Sequence, residues 1–157
     1  NGAKVSDESK ELAQEELKTL SQINDENSGK SNYDADKLNV AMTDIKTAVA
    51  DKGNKLTDDQ AKTIVQRTIN NYNLNLSDTQ INLLVNFALN LSKSSIIDSA
   101  SFKSSLSSLK ASIVSKAGDT FSGINLNFDA NQTLENSKNI FAQIWQDIVD
   151  FFTGLSR

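Results

Sequence analysis

The sequence predicts an all-α protein, a helical bundle of about six helices built around a central capped helical hairpin. Three observations carry that reading. Apolar residues recur every three or four positions along most of the chain and alternate at strand spacing almost nowhere. One helix-start phrase is written twice, twenty residues apart, and the 157 residues include no proline, which a chain of capped helices has few places for. At 38% hydrophobic residues and 157 in total, the chain fits a single helical domain over residues 1–157 that needs no metal or crosslink to fold.

From Ser6 to Ile23, Leu12, Ala13, Leu17, Leu20 and Ile23 form one apolar stripe with Glu and Lys between them, the pattern of an amphipathic helix. On that reading Glu15 and Glu16 fall on the solvated side. Residues 24–33 are rich in turn formers and lack periodicity, so a flexible surface loop is expected. Asp34 is placed to cap a second helix with the face Leu38, Ala41, Met42, Ile45, Ala48 and Val49, ending near Gly53 as a C′ residue.

The repeated phrase follows, as Leu56-Thr57-Asp58-Asp59-Gln60-Ala61 and Leu76-Ser77-Asp78-Thr79-Gln80-Ile81. In each, the hydroxyl accepts from the backbone N–H three residues on while the glutamine reaches back to the cap's own N–H. This is a capping box, and the acids just inside each start favour the helix dipole. Leu56 and Leu76 are placed as hydrophobic staples. The match continues through Ile64/Leu84, Val65/Val85 and Ile69/Leu89, so two similar helices form a hairpin joined around Asn73-Leu74-Asn75. Residues 66–92 hold two charges, Arg67 and Asp78, and seven asparagines. The second helix of the pair is apolar on more than one side, which predicts burial by several neighbours.

Eleven serines between Ser92 and Ser115 alternate with Phe102, Leu106, Leu109 and Ile113 at helical spacing, so a fifth helix is expected despite the low propensity of serine. Gly118 ends it, and residues 119–132 read as an irregular segment packed down by Phe121, Ile124, Leu126 and Phe128. The last helix, Thr133 to Leu155, carries four of the ten aromatic residues. Its stripe of Phe141, Ile144, Trp145, Ile148, Phe151 and Phe152 is the candidate interaction surface. The competing reading, that the stripe closes the bundle core, is the commoner fate of such a face.

The chain contains neither histidine nor cysteine, which removes thiol and imidazole nucleophiles, the common Zn, Cu and haem ligands, and any disulfide. Paired carboxylates are the main acid/base option left, but Asp58/Asp59 are explained by capping and Asp147/Asp150 flank the aromatic stripe. No catalytic, cofactor-binding or metal-binding residue is therefore assigned, and the chain reads as no enzyme. Neither Asp51-Lys52-Gly53-Asn54-Lys55 nor Asn70-Asn71-Tyr72-Asn73 meets the EF-hand code, and phosphate-binding glycine loops and a G-x-S-x-G elbow are missing. A formal net charge of −4, and a second hairpin helix without Arg or Lys, argue against nucleic acid. No stretch of about 18 apolar residues is present to span a membrane.

The phrases Lys55-Leu56-Thr57-Asp58-Asp59-Gln60-Ala61 and Tyr72-Asn73-Leu74-Asn75-Leu76-Ser77-Asp78-Thr79-Gln80, with Glu11-Leu12-Ala13-Gln14-Glu15-Glu16-Leu17 and the ending Trp145-Gln146-Asp147-Ile148-Val149-Asp150-Phe151-Phe152, resemble the DUF1002 family of exported Gram-positive proteins of unknown function. The similarity corresponds to the C-terminal half of a usual member. It implies export and a place at the cell surface or outside the cell, and it supplies no catalytic residues. The serine-rich fifth helix and residues 119–132 depart from the family pattern.

Two functions of different class are expected from this reading. One is a non-enzymatic extracellular or cell-surface interaction domain that binds a protein or envelope component through its Asn/Ser-rich face or its last helix. The alternative is a membrane-active or lipid-binding protein that lays the aromatic C-terminal helix in the interface, although that helix lacks the usual cationic polar side.

Overall fold

The computed structural model describes residues 7–27, 29–30, 33–98, 100–111, 146 and 148–152. Among them are six α-helical stretches and no strand: α1 (Asp7–Asn27), α2 (Ala35–Lys52), α3 (Asp58–Asn71), α4 (Asp78–Ser92), α5 (100–111) and α6 (148–152). Two short 3₁₀ turns, Gly53–Lys55 and Ser95–Asp98, join α2 to α3 and follow α4. This is the all-α bundle that the spacing predicts. The expected segment at residues 119–132 lies outside the described residues.

Both capping boxes form. Thr57 Oγ1 accepts from the Gln60 N–H at 3.1 Å while Gln60 Oε1 accepts from the Thr57 N–H at 3.0 Å. Ser77 and Gln80 repeat the exchange at 3.2 and 3.0 Å. Between the two helices the chain closes α3 with a Schellman motif. Asn73 takes a left-handed conformation at φ 55, its N–H donates to Asn70 O, and the Leu74 N–H donates to Ile69 O. Asparagine is the residue after glycine that tolerates this position best, and the buried Leu74 supplies the apolar contact that accompanies the motif.

The hairpin helix α4 packs against α1, α2 and α3. Leu84, Val85, Phe87, Ala88 and Leu91 are buried, and Ile81, Leu83 and Leu89 are half-buried against the core. Helix α2 is enclosed as fully. Alongside the expected face, Asn39, Val40, Thr43, Lys46 and Ala50 are also buried, so α2 and α4 together form the centre. Thr43, Thr47 and Thr68 turn their hydroxyls back onto the carbonyls of Asn39, Thr43 and Ile64, which satisfies them without a partner helix.

Two sequence expectations are corrected. Helix α1 runs on to Asn27 instead of ending at Ile23, because Asn24 and Asn27 are buried against the bundle and Asn27 finds a hydrogen-bond partner on α4. Tertiary contact here overrides the weak helix propensity of the 24–27 run. Glu16 is not on the solvated side: it is one of the least exposed residues of the protein. In α5, Phe102, Leu106 and Leu109 are buried as their spacing predicts.

Candidate functional site

Three polar clusters and one exposed face are candidates for function. The first cluster explains why the repeated phrase has two different fates. Gln60 is exposed, and among the described residues its side chain bonds only within its capping box. Gln80 is buried, and its Oε1 accepts from Asn27 Nδ2 at 3.1 Å while its Nε2 donates to Glu26 Oε1 at 2.9 Å. One side chain thus caps α4 and fastens the end of α1. The Gln80 bond, with a second from Gln22, lowers the Glu26 carboxyl below its ordinary value. Substituting Gln80→Ala strands the buried Asn27 amide, so it should cost about 1–3 kcal/mol. Gln60→Ala removes one exposed capping contact and should cost well under that amount; chemical denaturation of the two variants side by side checks the asymmetry.

The second cluster joins Asp44 of α2, Tyr72 at the end of α3 and Lys110 of α5. The Tyr72 hydroxyl donates to Asp44 Oδ2, and Lys110 Nζ pairs with Asp44 Oδ1. Burial, then the hydrogen bond to Asp44 and its charge, push the Tyr72 phenol up to about 12 from 10.0. The folded state therefore favours the neutral phenol. Its contribution is fully present below pH 10, falls as pH rises between 10 and about 12, and is gone above both values. A denaturant midpoint that drops across this interval in the native protein, and drops less in Tyr72→Phe, is the expected result.

The third cluster is a buried ion pair. Lys46 Nζ of α2 lies 2.7 Å from Glu16 Oε1 of α1, with only 2% and 1% of the two side chains exposed. Beyond the ion pair through Oε1, neither Glu16 oxygen has a hydrogen-bond partner among the described residues. The ring of Phe151, on α6, sits 5.1 Å from the ammonium, within cation–π range. Spacing marks each partner but not their pairing. Glu16 stands four residues from Leu12 and from Leu20, and Lys46 four from Met42, so each lies on its helix's apolar stripe.

The exposed face belongs to the hairpin. All seven of its asparagines are exposed: Asn70, Asn71, Asn73 and Asn75 around the turn, and Asn82, Asn86 and Asn90 in one row along α4. Asn90 donates to Glu15 Oε1 at 2.8 Å, which ties the end of that row to α1.

Of the six residues in the C-terminal aromatic stripe, Ile148, Phe151 and Phe152 are buried in the core. Phe151 packs 5.4 Å from Phe102 and 5.0 Å from Phe152, ring centre to ring centre. Those three are therefore buried side chains, with Phe151 set between Phe102 of α5 and the Lys46 ammonium of α2. Phe141, Ile144 and Trp145 lie outside the described residues. Among the described residues, no group of three or more acidic side chains is arranged to hold a metal ion, and no helix is long and apolar enough to cross a membrane.

Fold and site together define a helical bundle organised by a twice-capped hairpin that carries an amide-rich outer face. The profile of DUF1002, a family described as protein of unknown function, matches residues 1–109, and the chain belongs to that family. The match runs from the start of the chain almost to the end of α5 and so takes in the hairpin, the Glu16–Lys46 pair and the Gln80 cluster. No curated protein and no solved structure matches the chain.

Proposed function

We propose that this protein is a non-enzymatic interaction domain, extracellular or at the cell surface, that binds a protein or envelope component through the amide face of the α3–α4 hairpin. The observation that carries the reading is the exposure of all seven hairpin asparagines in a stretch with only two charges. Asparagine is a poor helix former, and an exposed helix face is ordinarily filled with Lys, Glu and Arg, which favour the helix and need no partner. A row of Asn82, Asn86 and Asn90 forgoes that propensity. In exchange it offers paired donors and acceptors at one-turn spacing, which suit an uncharged polar ligand better than an ionic one. The cysteine-free composition suits an oxidising compartment, where stray thiols mispair.

The test is capture from the source organism's envelope fraction with the native protein and with Asn70→Asp/Asn82→Asp/Asn86→Asp. These substitutions keep size and exposure, so the helical circular dichroism should be unchanged. The native protein should retain an envelope component that the triple variant loses by at least about tenfold, equivalent to three disrupted hydrogen-bonding positions. Equal capture by both proteins would sink the proposal.

A further inference from the structure

We propose that the partner met by the outer face of α4 is a second copy of this chain, docked antiparallel about a twofold axis level with Asn86. The inference rests on the reading of the amide face as a contact surface, and it names the protein contacted.

The residue pattern carries it. Outward from Asn86, α4 presents the same residue types in both directions. Leu83 and Leu89, each half-buried, stand three residues away, and Asn82 and Asn90, both exposed, stand four away. At the two ends of the face are Asp78, the first residue of the helix, and Lys93, its C-cap, both exposed and of opposite charge. No charged residue lies between them. A face for an unlike partner needs no such palindrome, whereas a twofold contact requires the patch to be its own complement.

The pairings that this axis produces are favourable. Against an antiparallel copy, Asn82 comes level with Asn90, Asn86 with Asn86, and Asp78 with Lys93 at both ends. A carboxamide carries both donors and an acceptor, so a reversed row of amides satisfies itself. Asn90 donates to Glu15 at 2.8 Å, which leaves its carbonyl oxygen as the acceptor for Asn82 of the second copy. The short asparagine side chains let the two helices approach closely, and Leu83 and Leu89 line the two edges of the row. In a parallel docking Asp78 would meet Asp78 and Lys93 would meet Lys93, so the charges select the antiparallel one. The helix dipoles select it too, since each N-terminal end then lies beside the other's C-terminal end. A 15-residue helix is about 22 Å long. One such pair buries less than the roughly 1,200 Å² of a standard interface, so the dimer is a weak one.

Sedimentation velocity of the intact protein, with no envelope material present, tests this. The native chain should pass from monomer towards dimer between about 10 μM and 1 mM. Lys93→Glu sets two acids level with each other and should weaken association at least about tenfold, while Asp78→Lys/Lys93→Glu, which restores opposite charges, should recover it. The cysteine-free chain allows a second test with a single thiol. Helix axes about 8–10 Å apart set the two Cα atoms at the axis about 4–6 Å from each other, within disulfide reach. On mild oxidation, Asn86→Cys should therefore form a disulfide dimer at least about tenfold faster than Asn71→Cys, which lies at the turn end of the same face. A native protein that stays monomeric, equal crosslinking at the two positions, no loss of association in Lys93→Glu, or no recovery in the double variant would overturn the proposal. A monomeric protein that still captured an envelope component through the hairpin asparagines would overturn this inference alone and leave the amide face as a surface for a different partner.

Discussion

Lys46→Met alone should lower the unfolding free energy by about 3–5 kcal/mol, because it leaves the Glu16 carboxylate buried without a counter-charge. That is a large fraction of the 5–15 kcal/mol typical of a domain. The pair sits at the junction of α1, α2 and α6, with 2% and 1% of the side chains exposed, so water does not reach the lone acid, and no other ion pair to it is formed among the described residues. Glu16→Leu alone should cost a similar amount for the mirror reason. The double variant Glu16→Leu/Lys46→Met should lie far above either single variant, near the native value or 1–4 kcal/mol beyond it. Urea denaturation of the four proteins forms a double-mutant cycle, and a strongly non-additive result is expected. Additive costs would mean that the two charges do not depend on one another.

Phe87→Ala is the second large effect. Phe87 is fully buried on α4, the helix that meets α1, α2 and α3. Removing its ring opens a cavity that helices on three sides cannot collapse into together, and a cost of about 3–5 kcal/mol is expected. Phe102 is buried to the same degree on α5 and packs against Phe151. Phe102→Ala should cost a similar amount for the same reason. Thermal unfolding of the two variants checks this, and a cost under about 1 kcal/mol at either site would contradict it.

The fold was legible where local chemistry and tertiary packing agree. Thr57 with Gln60 and Ser77 with Gln80 declare two helix starts, and both capping boxes form with the expected reciprocal bonds. Asn73 marks the left-handed closure of α3, and the stripe of Phe102, Leu106 and Leu109 marks α5. Local signals lose their authority where a distant element supplies the deciding contact. Nothing within residues 24–27 predicts a helix, yet Gln80, more than fifty residues away, holds Asn27 and Glu26 in place.

The candidate site was legible in composition and not in pairing. The run of asparagines is visible in the sequence, and the structure adds that every one is exposed. The Glu16–Lys46 pair was hidden for a different reason. Charged residues are assigned to solvent by default because isolated ions are almost never buried. Overruling that default requires knowing that Glu16 and Lys46 fall on facing stripes of α1 and α2, which spacing within one helix does not reveal. The aromatic stripe posed the converse problem: a helical row of Ile148, Phe151 and Phe152 looks the same whether it faces a core or a partner, and only the seat around Phe102 and Lys46 decides it.

The proposed contact surface, the hairpin's amide face, can be read out by titrating protein labelled with ¹⁵N at asparagine side chains with solubilised envelope fractions and following each NH₂ signal. Asn70, Asn71, Asn82 and Asn86 should shift or broaden together while the buried Asn27 and Asn39 stay fixed. Shifts confined to asparagines outside the hairpin, or no shift at any fraction, would contradict it.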